Sequence, residues 1–490
     1  MKSPDIFKKI VDVSKKTSTD VYAVGGFVRD SLMGKVDSKD IDFVVGGSGL
    51  EFAKEFAAEV GEDAGTLVEF PDFDTARFTF TKAHSKENEN GESYIEKEIL
   101  FEIEFAGART EEYDAASRKP VVQPTSIEDD LQRRDFTVNA IAQKIMAGGK
   151  LGAVIDPCNG QQAIQDKVLQ TPLEPNETFS DDPLRMMRAA RFAAQLDFSI
   201  APAVLEAMHT NAERLSIVSA ERIQEELMKL MKTDRPSIGL TLLHATSLMD
   251  YFLPEVCQLS GVEEVKGYSH KDNLGHTFAV VDNIAEQSAK PLLRFTGLLH
   301  DIAKPQTKKF EKGRGWTFDM HEHLGRKMAK DIMRRLRFSS KDIYYVSELV
   351  RWHLQPIALM DKGVTDSAVR RLIVGLGDML PDLLVLCRAD ITTGNQTKKE
   401  RRLKNYDYLD ERIGEVIVTD KLREFQSPVR GEEIMQMCGL KPGPTVGKMK
   451  NAIEEAILEG DIPNEYDAAR AYFDSIKEKY IADAEPWELV

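Results

Sequence analysis

The sequence predicts an α+β protein, in which a head of strands and helices is followed by a long all-helical part. Segments with the apolar or alternating pattern of strands lie in the first 156 residues. From residue 157 onward helical periodicity dominates, without an internal repeat of about 20–50 residues. Further breaks predict four parts, namely a head (1–156), a helical neck (157–255), a helical domain (256–425) and a helical tail (426–490).

The charge of the chain is uneven. The 490 residues carry a formal net charge of −16, which by itself argues against a nucleic-acid partner. Residues 51–130, however, hold 8 basic and 21 acidic side chains, so the other 410 residues carry only −3. The global charge therefore excludes little.

The sequence favours a cytoplasmic location. The four cysteines are far apart and form no Cys-x-x-Cys pair, which is typical of reduced thiols rather than a disulfide framework. No apolar run reaches the roughly 18 residues of a membrane helix. The amphipathic segment at the N-terminus differs from a secretion signal. We expect no membrane partner and no obligatory protein partner.

The elements of the head follow from its apolar pattern. Helices are expected at 3–16, 27–33 and 50–59, and strands at 21–26, 41–45, 76–81 and 99–105. The polar stretch 82–98 has Asn-Gly near its centre. It predicts a long hairpin tip or a mobile insertion.

Two glycines end the first predicted strand. Gly25 and Gly26 precede a helix, an arrangement that lets backbone N–H groups approach a phosphate. Arg29 lies one turn into that helix and can hold a phosphate oxygen. A plain tight turn is the alternative explanation of the glycines.

Paired carboxylates follow on two of the predicted strands. Asp40 and Asp42 flank Ile41, so both side chains point to one face, and the same holds for Glu102 and Glu104. Neighbouring carboxylates repel unless a cation lies between them, and Mg²⁺ favours such ligands together with substrate phosphates. The pattern indicates two-metal phosphoryl transfer, with a solvated strand face as the alternative.

A basic helix is expected over residues 182–194. On a helix, Asp182 and Arg185 would be neighbours on one face. The carboxylate offers acceptors and the guanidinium offers donors, which together match the Watson–Crick edge of cytosine or adenine. Arg188 and Arg191 extend the same basic ridge. The alternative for Asp182 and Arg185 is a surface ion pair.

Five motifs in this order resemble class II tRNA nucleotidyltransferases and bacterial poly(A) polymerases, within the polymerase-beta-like superfamily. The motifs are GGFVRD (25–30), DID (40–42), RRDFTVNA (133–140), DDPLRMMRAARFAA (181–194) and ERIQEEL (221–227). The resemblance implies a polymerase-beta-like head with a mixed or antiparallel sheet. It also implies an elongated all-helical neck, body and tail.

The resemblance further implies roles for the residues that match the motifs. Asp40 and Asp42 would hold catalytic Mg²⁺, and Glu104, five residues before Arg109, would be the third acidic residue. Contacts with ribose, triphosphate or the metal-bound end are implied for Arg134, Asp135 and Asn139. Asp182 and Arg185 would read the incoming base.

Six of the nine histidines lie between residues 270 and 353. Imidazole together with carboxylate suits a divalent transition metal, although a lone core histidine is usually structural. The order of these residues resembles the HD phosphohydrolase superfamily, with its four ligands at His276, His300, Asp301 and Asp390. The resemblance implies a divalent ion here (Mg²⁺, Mn²⁺, Ni²⁺ or Fe²⁺). Auxiliary positions would be His321, His353 and Lys304, the last for phosphate binding.

Three further segments predict contact with RNA. Residues 431–464 resemble the C-terminal module of bacterial tRNA nucleotidyltransferases, where helix N-terminal amides could take a phosphate. Residues 326–337 carry 6 basic and 1 acidic side chain, and residues 388–404 carry 6 and 2. Such clusters could hold a tRNA acceptor arm, although solvated helix faces explain them as well.

The leading hypothesis is CCA addition to the 3′ end of tRNA from CTP and ATP, with an additional HD phosphohydrolase activity. Poly(A) synthesis is disfavoured because the segment GTLVEFPDFD (65–74) is acidic, whereas poly(A) polymerases tend to be basic there. Enzymes that add only A or only CC stay open. An HD phosphohydrolase whose head merely binds RNA is disfavoured by the intact Asp40 and Asp42.

Overall fold

The computed structural model describes residues 3–35, 40–87, 93–112, 121–261, 264–265, 268–269, 272–360, 365–420 and 427–489. The chain divides into two units, Met1–Phe252 and Leu253–Val490. The four predicted parts divide the chain more finely and stay a prediction. Among the described residues, no helix combines the length and the apolar character of a membrane span.

A seven-stranded mixed sheet forms the centre of the first unit. Its strand order is β3-β4-β5-β2-β1-β8-β9. The β2–β5 pair is parallel, and all the other neighbouring strands of the sheet pair antiparallel. The strands of this unit are β1 (Val21–Val24), β2 (Asp40–Val45), β3 (Gly65–Phe70), β4 (Thr75–Glu87), β5 (Ser93–Gly107), β6 (Arg109–Glu112), β7 (Val121–Pro124), β8 (Ala142–Met146), β9 (Lys150–Ile155), β10 (Val168–Leu169) and β11 (Ser199–Ile200).

Ten helices accompany these strands in the described residues of the first unit. They are α1 (Ser3–Thr17), α2 (Gly26–Leu32), α3 (Gly49–Val60), α4 (Ile127–Gln132), α5 (Gly160–Asp166), α6 (Pro175–Asp181), α7 (Leu184–Leu196), α8 (Pro202–Thr210), α9 (Ala220–Met231) and α10 (Pro236–Ala245). Helices α1 and α3 pack on the apolar face of the sheet, where Phe43 stacks on Phe105 with ring centroids 5.3 Å apart. The opposite face carries a smaller apolar cluster that includes Val24 and Val44, and beside it the polar side chains of Asp40 and Asp42.

The predicted hairpin is present in its described arms. Strands β4 and β5 pair from Thr75–Ala106 out to Glu87–Ser93, with a register shift after Phe80. The tip, residues 88–92, lies outside the described residues, so the prediction of a mobile tip stays a prediction.

The second unit is almost entirely helical. Its helices are α11 (Pro254–Cys257), α12 (Asn273–Ala285), α13 (Pro291–Leu299), α14 (Lys304–Thr307), α15 (His321–Arg335), α16 (Ser340–Trp352), α17 (Gln355–Ala358), α18 (Asp366–Leu376), α19 (Leu380–Ala389), α20 (Gln396–Asp420), α21 (Gly431–Cys438), α22 (Pro444–Glu459) and α23 (Tyr466–Ala482). Two cores of aliphatic side chains form here, one centred on α18 to α20 and one on α21 to α23.

The expectation that strands end near residue 157 is wrong in detail. Besides β10 and β11, the second unit contains β12 (Glu264–Val265), β13 (Tyr268–Ser269), β14 (Lys309–Glu311) and β15 (Gly315–Thr317). Each of these strands has only two or three residues, too few to produce an alternating pattern that the sequence could reveal.

Candidate nucleotide and metal sites

The polar face of the head sheet brings the predicted carboxylates together. In the parallel register of β2 and β5, Asp40 lies opposite Glu102 and Asp42 lies opposite Glu104. Asp40 and Asp42 are exposed and Ile41 between them is buried, as the period of a strand requires. Desolvation by the surrounding protein, together with the negative charges of Glu104 and Asp40, raises the pKa of Asp42. A cation at this face would relieve the repulsion, so these carboxylates fit a divalent metal.

Gly25 closes this face from the side of β1. It adopts φ +69°, a conformation that other residues rarely adopt. A Cβ at this position would stand 3.3 Å from Arg134 Nη1 and 3.7 Å from Asp42 Oδ2. Glycine therefore allows the turn before α2 to come close to the carboxylates.

A pocket of about 290 Å³ opens beside Asp42 and Glu104. Its charged lining comprises six arginines and four carboxylates, namely Arg109, Arg133, Arg134, Arg185, Arg188, Arg222, Asp42, Glu104, Asp135 and Asp182. The fully buried Asp130 binds both Arg133, at 2.6 Å, and Arg134, at 3.2 Å. Despite its burial, the charges of Arg134 and Arg133 lower the pKa of Asp130. The excess of fixed positive charge suits a polyphosphate.

A chain of buried hydrogen bonds supports the pocket. Arg29 Nη1 donates to Asn139 Oδ1 at 2.7 Å, and Asn139 Nδ2 donates to Asp135 Oδ1 at 3.1 Å. Arg188 Nε donates to Asp135 Oδ2 at 2.8 Å. Despite its burial, the charge of Arg188 and the bond from Asn139 lower the pKa of Asp135 to about 2. Arg188, partly exposed to the pocket, is thereby fixed from behind.

Two of the predicted nucleotide-binding arginines lie inside the protein. Arg29 is 3 % exposed and also bonds Asp30, and Arg191 is 8 % exposed and bonds Glu226 at 2.7 Å. Both guanidinium groups lie over the ring of Phe192. The structure therefore corrects the expectation of direct phosphate or base contact, because these side chains hold other residues in place.

Asp182 and Arg185 do not share a helix, contrary to the expected single helix over 182–194. Helix α6 ends at Asp181 and α7 begins at Leu184, with Asp182 extended between them at φ −136° and ψ 99°. The cause is Pro183, since the residue before a proline is disfavoured in helical conformation. Both side chains still line the pocket, where Asp182 Oδ2 accepts a bond of 2.7 Å from Arg222.

The second unit brings together the six predicted HD ligands and auxiliary histidines. Helix ends position most of these residues. The helices α13, α16 and α19 end directly before His300, His353 and Asp390, Asp301 follows His300, and α15 begins at His321. Two groups form, His276 with His300 and Asp390, and Asp301 with His321 and His353. Asp301 links them, because its Oδ2 lies 3.2 Å from His300 Nε2 and its Oδ1 lies 3.3 Å from His321 Nε2.

The hydrogen bonds of this histidine cluster fix the ring tautomers. The Nδ1 atoms of His300, His321 and His353 each lie 2.7 Å from the carbonyl oxygen three residues earlier. A carbonyl only accepts, so each Nδ1 carries a proton, and each Nε2 faces the cluster as the ring atom that can bind a metal once it is deprotonated. His276 Nδ1 lies 2.7 Å from Thr392 Oγ1.

These Nε2 atoms fit metal ions better than they fit one another. The Nε2 atoms of His321 and His353 are 3.3 Å apart, and the buried Nε2 of His300 has no hydrogen-bond partner among the described residues. Burial, together with the charge of His300, lowers the pKa of His353 to about 4, which disfavours a proton between the two rings. A divalent cation satisfies the lone pairs and the carboxylates together.

Comparison with known protein families agrees with this division of sites. Residues 21–170 match the poly A polymerase head domain, 197–259 match the probable RNA and SrmB-binding site of polymerase A, and 273–410 match the HD domain. The A-adding tRNA nucleotidyltransferase of Deinococcus radiodurans is 32 % identical over 348 residues, or 69 % of this chain and 77 % of that protein. The chain belongs to the tRNA nucleotidyltransferase family.

Other relatives of this nucleotidyltransferase are named for different activities. The CC-adding enzyme of Thermus thermophilus is 31 % identical over 71 % of this chain and 76 % of its own length. The multifunctional CCA protein of Ralstonia nicotianae is 35 % identical over 65 % of this chain and 68 % of its own length. The enzyme class is therefore confirmed, whereas the nucleotides added are not decided by similarity.

Solved structures confirm the fold class. The Bacillus stearothermophilus CCA-adding enzyme in complex with CTP has a TM-score of 0.59 at 22 % identity, covering 99 % of this chain and 100 % of that one. A tRNA nucleotidyltransferase complexed with a primer tRNA and an incoming ATP analog has a TM-score of 0.55 at 22 % identity, covering 82 % and 98 %. The predicted mixed-sheet head followed by helices is shared with both.

The two basic clusters of the nucleotidyltransferase differ in structure. In residues 326–337, Arg326 binds Glu348, Arg334 binds Asp331 at 3.2 Å and Arg335 binds Glu255 at 2.7 Å. In residues 388–404, Arg388 is the one cation that forms an ion pair with a described residue, bonding Asp407 and Asp410. The start of α20 keeps exposed cations without an acidic partner among the described residues, namely Lys398, Arg401, Arg402 and Lys404. In residues 326–337, Lys327 and Lys330 also have no acidic partner among the described residues, but α20 has the larger number of such exposed cations and is therefore the stronger candidate for an RNA surface.

The predicted phosphate site in the tail is filled by the chain itself. At the start of α22, Thr445 N and Thr445 Oγ1 each donate a bond of 2.9 Å to the carboxylate of Glu488. Glu488 is 1 % exposed, and a Cβ on Gly443 would collide with it. The helix N-terminus thus has an internal anion, which corrects the expectation of an RNA phosphate there.

Three residues that the sequence did not single out have roles in these sites. Arg77 lies opposite Glu104 on β4 and bonds it at 3.1 Å. Asp130 anchors the pocket arginines, and Thr392 orients His276. Arg77 alternates with buried residues, so its face was readable, but its partner depends on strand pairing.

Proposed function

We propose that this protein adds C, C and A to the 3′ end of tRNA, using CTP and ATP and releasing pyrophosphate. The observation that carries the proposal is the position of Asp42 opposite Glu104, beside a pocket with six arginines. Asp182 and Arg185 line the same pocket and offer acceptors and donors to a base edge. Relatives named as A-adding, CC-adding and multifunctional CCA proteins support the reaction class.

The proposed roles follow from the geometry of the head. Asp40, Asp42 and Glu104 hold Mg²⁺, which when bound activates the attacking hydroxyl and neutralises the triphosphate. Arg134, Arg188 and neighbouring pocket arginines bind the triphosphate and align its α-phosphate with the tRNA 3′-hydroxyl. Gly25 supplies the left-handed backbone turn beside Asp42 that leads into α2. Asp135, Asn139 and Arg29 position Arg188 from behind.

We infer that tRNA is held largely through its backbone, with the exposed start of α20 as one contact. RNA helices are recognised mainly by shape and phosphates, which exposed lysines and arginines provide. Addition of A alone, addition of CC alone and poly(A) synthesis are the competing activities, and a cytoplasmic location stays a prediction.

Substitution separates this head reaction from the chemistry of the second unit. Asp42→Asn is expected to lower nucleotide incorporation into tRNA by at least about 100-fold. Asp166→Asn, which changes an exposed aspartate in the same unit, is the matched control. Equal activity of Asp42→Asn and the wild type would contradict the proposed site.

We further propose that the histidine cluster hydrolyses phosphoesters. The observation that favours this second activity is the convergence of four histidine Nε2 atoms on the Asp301 carboxylate, at 3.2 to 3.8 Å, with Asp390 beside them. A divalent ion held there supplies an activated water and polarises the phosphate. Lys304, which is bonded to Asp301, places a positive charge where a substrate phosphate would lie.

Hydrolysis of a 2′,3′-cyclic phosphate nucleotide tests this activity. Asp301→Asn is expected to abolish hydrolysis and to remove tightly bound Mn²⁺, Ni²⁺ or Fe²⁺ from the purified protein, while tRNA extension stays intact. Asp42→Asn is expected to show the reverse pattern. Absence of both hydrolysis and bound metal in the wild type would contradict the second activity without affecting the first.

A further inference from the structure

A short hairpin beside the histidine cluster carries aromatic and cationic side chains that the proposed chemistry does not use. It consists of residues 308–318, with β14 and β15 as its strands, and we call it the aromatic hairpin. Its rings are Phe310, Trp316 and Phe318, and its cations are Lys308, Lys309, Lys312 and Arg314. With one acidic residue, Glu311, the segment has a net charge of +3 in a chain of net charge −16.

Both ends of the aromatic hairpin are attached to the cluster. Before it, Lys304 binds Asp301 and places its Nζ 5.7 Å from the ring centre of Phe318. After it, the carbonyl oxygen of Phe318 accepts the bond of 2.7 Å from His321 Nδ1. The hairpin therefore leads directly to the carboxylate and the imidazoles that we assign to phosphoester chemistry.

The rings of the hairpin alternate with buried residues. Gly315 and Thr317 are buried, whereas Trp316 and Phe318 are partly exposed, so the two rings face the same side of the extended segment. Lys308 Nζ lies 4.3 Å from the ring centre of Trp316, and Phe310 supports that ring edge-on at 5.4 Å. Two aromatic–lysine pairs thus follow one another toward Asp301.

Aromatic faces interleaved with cations are the features that bind single-stranded nucleic acid. Bases stack on exposed rings while lysines contact the phosphates between them. A protein or lipid partner would use the rings alone and leave the alternation of lysines unexplained. The charge of the hairpin, opposite in sign to that of the whole chain, favours a polyanion.

We propose that the aromatic hairpin binds the last nucleotides of a single-stranded RNA whose 3′-terminal phosphate enters the histidine cluster. A base stacks on Trp316, and Lys308 binds the phosphate next to it. This inference rests on the proposed hydrolysis of phosphoesters by the cluster, for which it names the substrate class.

Kinetics with two substrates test the stacking role. The substrates are a pentanucleotide ending in a 2′,3′-cyclic phosphate and bis(p-nitrophenyl) phosphate, which has no base. Trp316→Ala is expected to lower kcat/KM for the pentanucleotide, relative to kcat/KM for bis(p-nitrophenyl) phosphate, about tenfold, because KM for the RNA rises. Trp316→Phe is expected to restore most of the lost ratio. Trp487→Ala, at an exposed tryptophan in the tail, is the matched control. An unchanged ratio for Trp316→Ala would overturn the proposal.

The lysine is tested by its salt dependence. Lys308→Gln is expected to weaken binding of the pentanucleotide and to reduce the slope of log affinity against log salt concentration by about 0.7, the value for one phosphate contact on a single strand. An unchanged slope would remove Lys308 from the binding site.

Binding is also measurable without hydrolysis. The three tryptophans of the full chain, labelled with 5-fluorotryptophan, give separate fluorine resonances, and Trp316→Phe assigns the one of interest. A pentanucleotide with a 3′-phosphate is expected to shift the Trp316 resonance and not that of Trp487, and one with a 3′-hydroxyl to do so more weakly. No shift of the Trp316 resonance, or equal shifts of the Trp316 and Trp487 resonances, would overturn the inference. A shift in a protein that hydrolyses nothing would leave the hairpin site standing and contradict only the hydrolytic activity.

Discussion

Asp42 lies directly opposite Glu104 in the parallel pairing of β2 and β5, the single parallel pair of the seven-stranded sheet. The pairing puts two carboxylates on one face at the edge of an arginine-lined pocket. Desolvation of the carboxyl, together with the neighbouring Glu104 carboxylate, raises the pKa of Asp42, and a cation bound between the two carboxylates would counter this effect. The proposed metal site of the head depends on this juxtaposition.

Arg77 donates to the same Glu104 carboxylate that we propose as a metal ligand, so the two would compete. Because Arg77 is about half exposed, with 46 % of its side chain accessible, its ion pair with Glu104 has a modest free energy. We expect Arg77→Gln to lower the Mg²⁺ concentration for half-maximal nucleotide addition by about threefold. The measurement is a Mg²⁺ titration of CTP incorporation. A half-maximal concentration equal to or above that of the wild type would show that Glu104 takes no part in binding the metal.

Asp135 stabilises the head only while it is ionised. Its pKa of about 2 lies below the ordinary value, so its stabilisation is complete above about pH 4 and is lost as the pH falls toward 2. We expect Asp135→Asn to lower the free energy of unfolding at pH 7 by about 2–3 kcal/mol. The measurement is hydrogen exchange of the buried strand β2.

The pH dependence separates this effect from a packing defect. The difference between Asp135→Asn and the wild type should shrink between pH 4 and pH 2, because the wild-type carboxyl also becomes neutral. Asp166→Asn, at an exposed position, should change little at either pH. A difference that is constant with pH would contradict the assigned ion pair with Arg188.

The start of α20 is expected to contact tRNA. Arg401→Gln combined with Arg402→Gln should weaken tRNA binding several-fold at low salt and reduce the salt slope by about 1–2. Arg334→Gln is the control, because Arg334 lies in the other basic cluster and is already bonded to Asp331. Equal losses from both variants, measured by filter binding, would contradict the distinction between the two clusters.

Residues whose roles depend on local pattern were predictable from the sequence. The alternation around Ile41 gives the common face of Asp40 and Asp42, and the helix expected at 50–59 is found at Gly49–Val60. The helix break at Asp182 could also have been predicted, because Pro183 follows Asp182 directly. Local rules of backbone conformation suffice for all three.

Contacts between distant segments were not predictable in this way. Arg29 has the sequence pattern of a phosphate ligand, but Asn139, 110 residues later, takes up its guanidinium. Glu488 reaches Thr445 across 43 residues and fills an N-terminus that looked open. A single sequence gives no distance between such segments, so the available ligand and the internal partner cannot be told apart.

Nucleotide incorporation into defined tRNA ends tests the central proposal most directly. Three forms of one tRNA are prepared, lacking the whole CCA end, ending in its first C, or ending in CC. Each is incubated with Mg²⁺ and with labelled CTP, labelled ATP or both. We predict two C residues from CTP on the shortest tRNA, one A from ATP on the tRNA ending in CC, and complete CCA with both. Addition of A alone, of CC alone or of a long A tail would contradict the proposed specificity. No incorporation of either nucleotide would contradict the proposed function of the head.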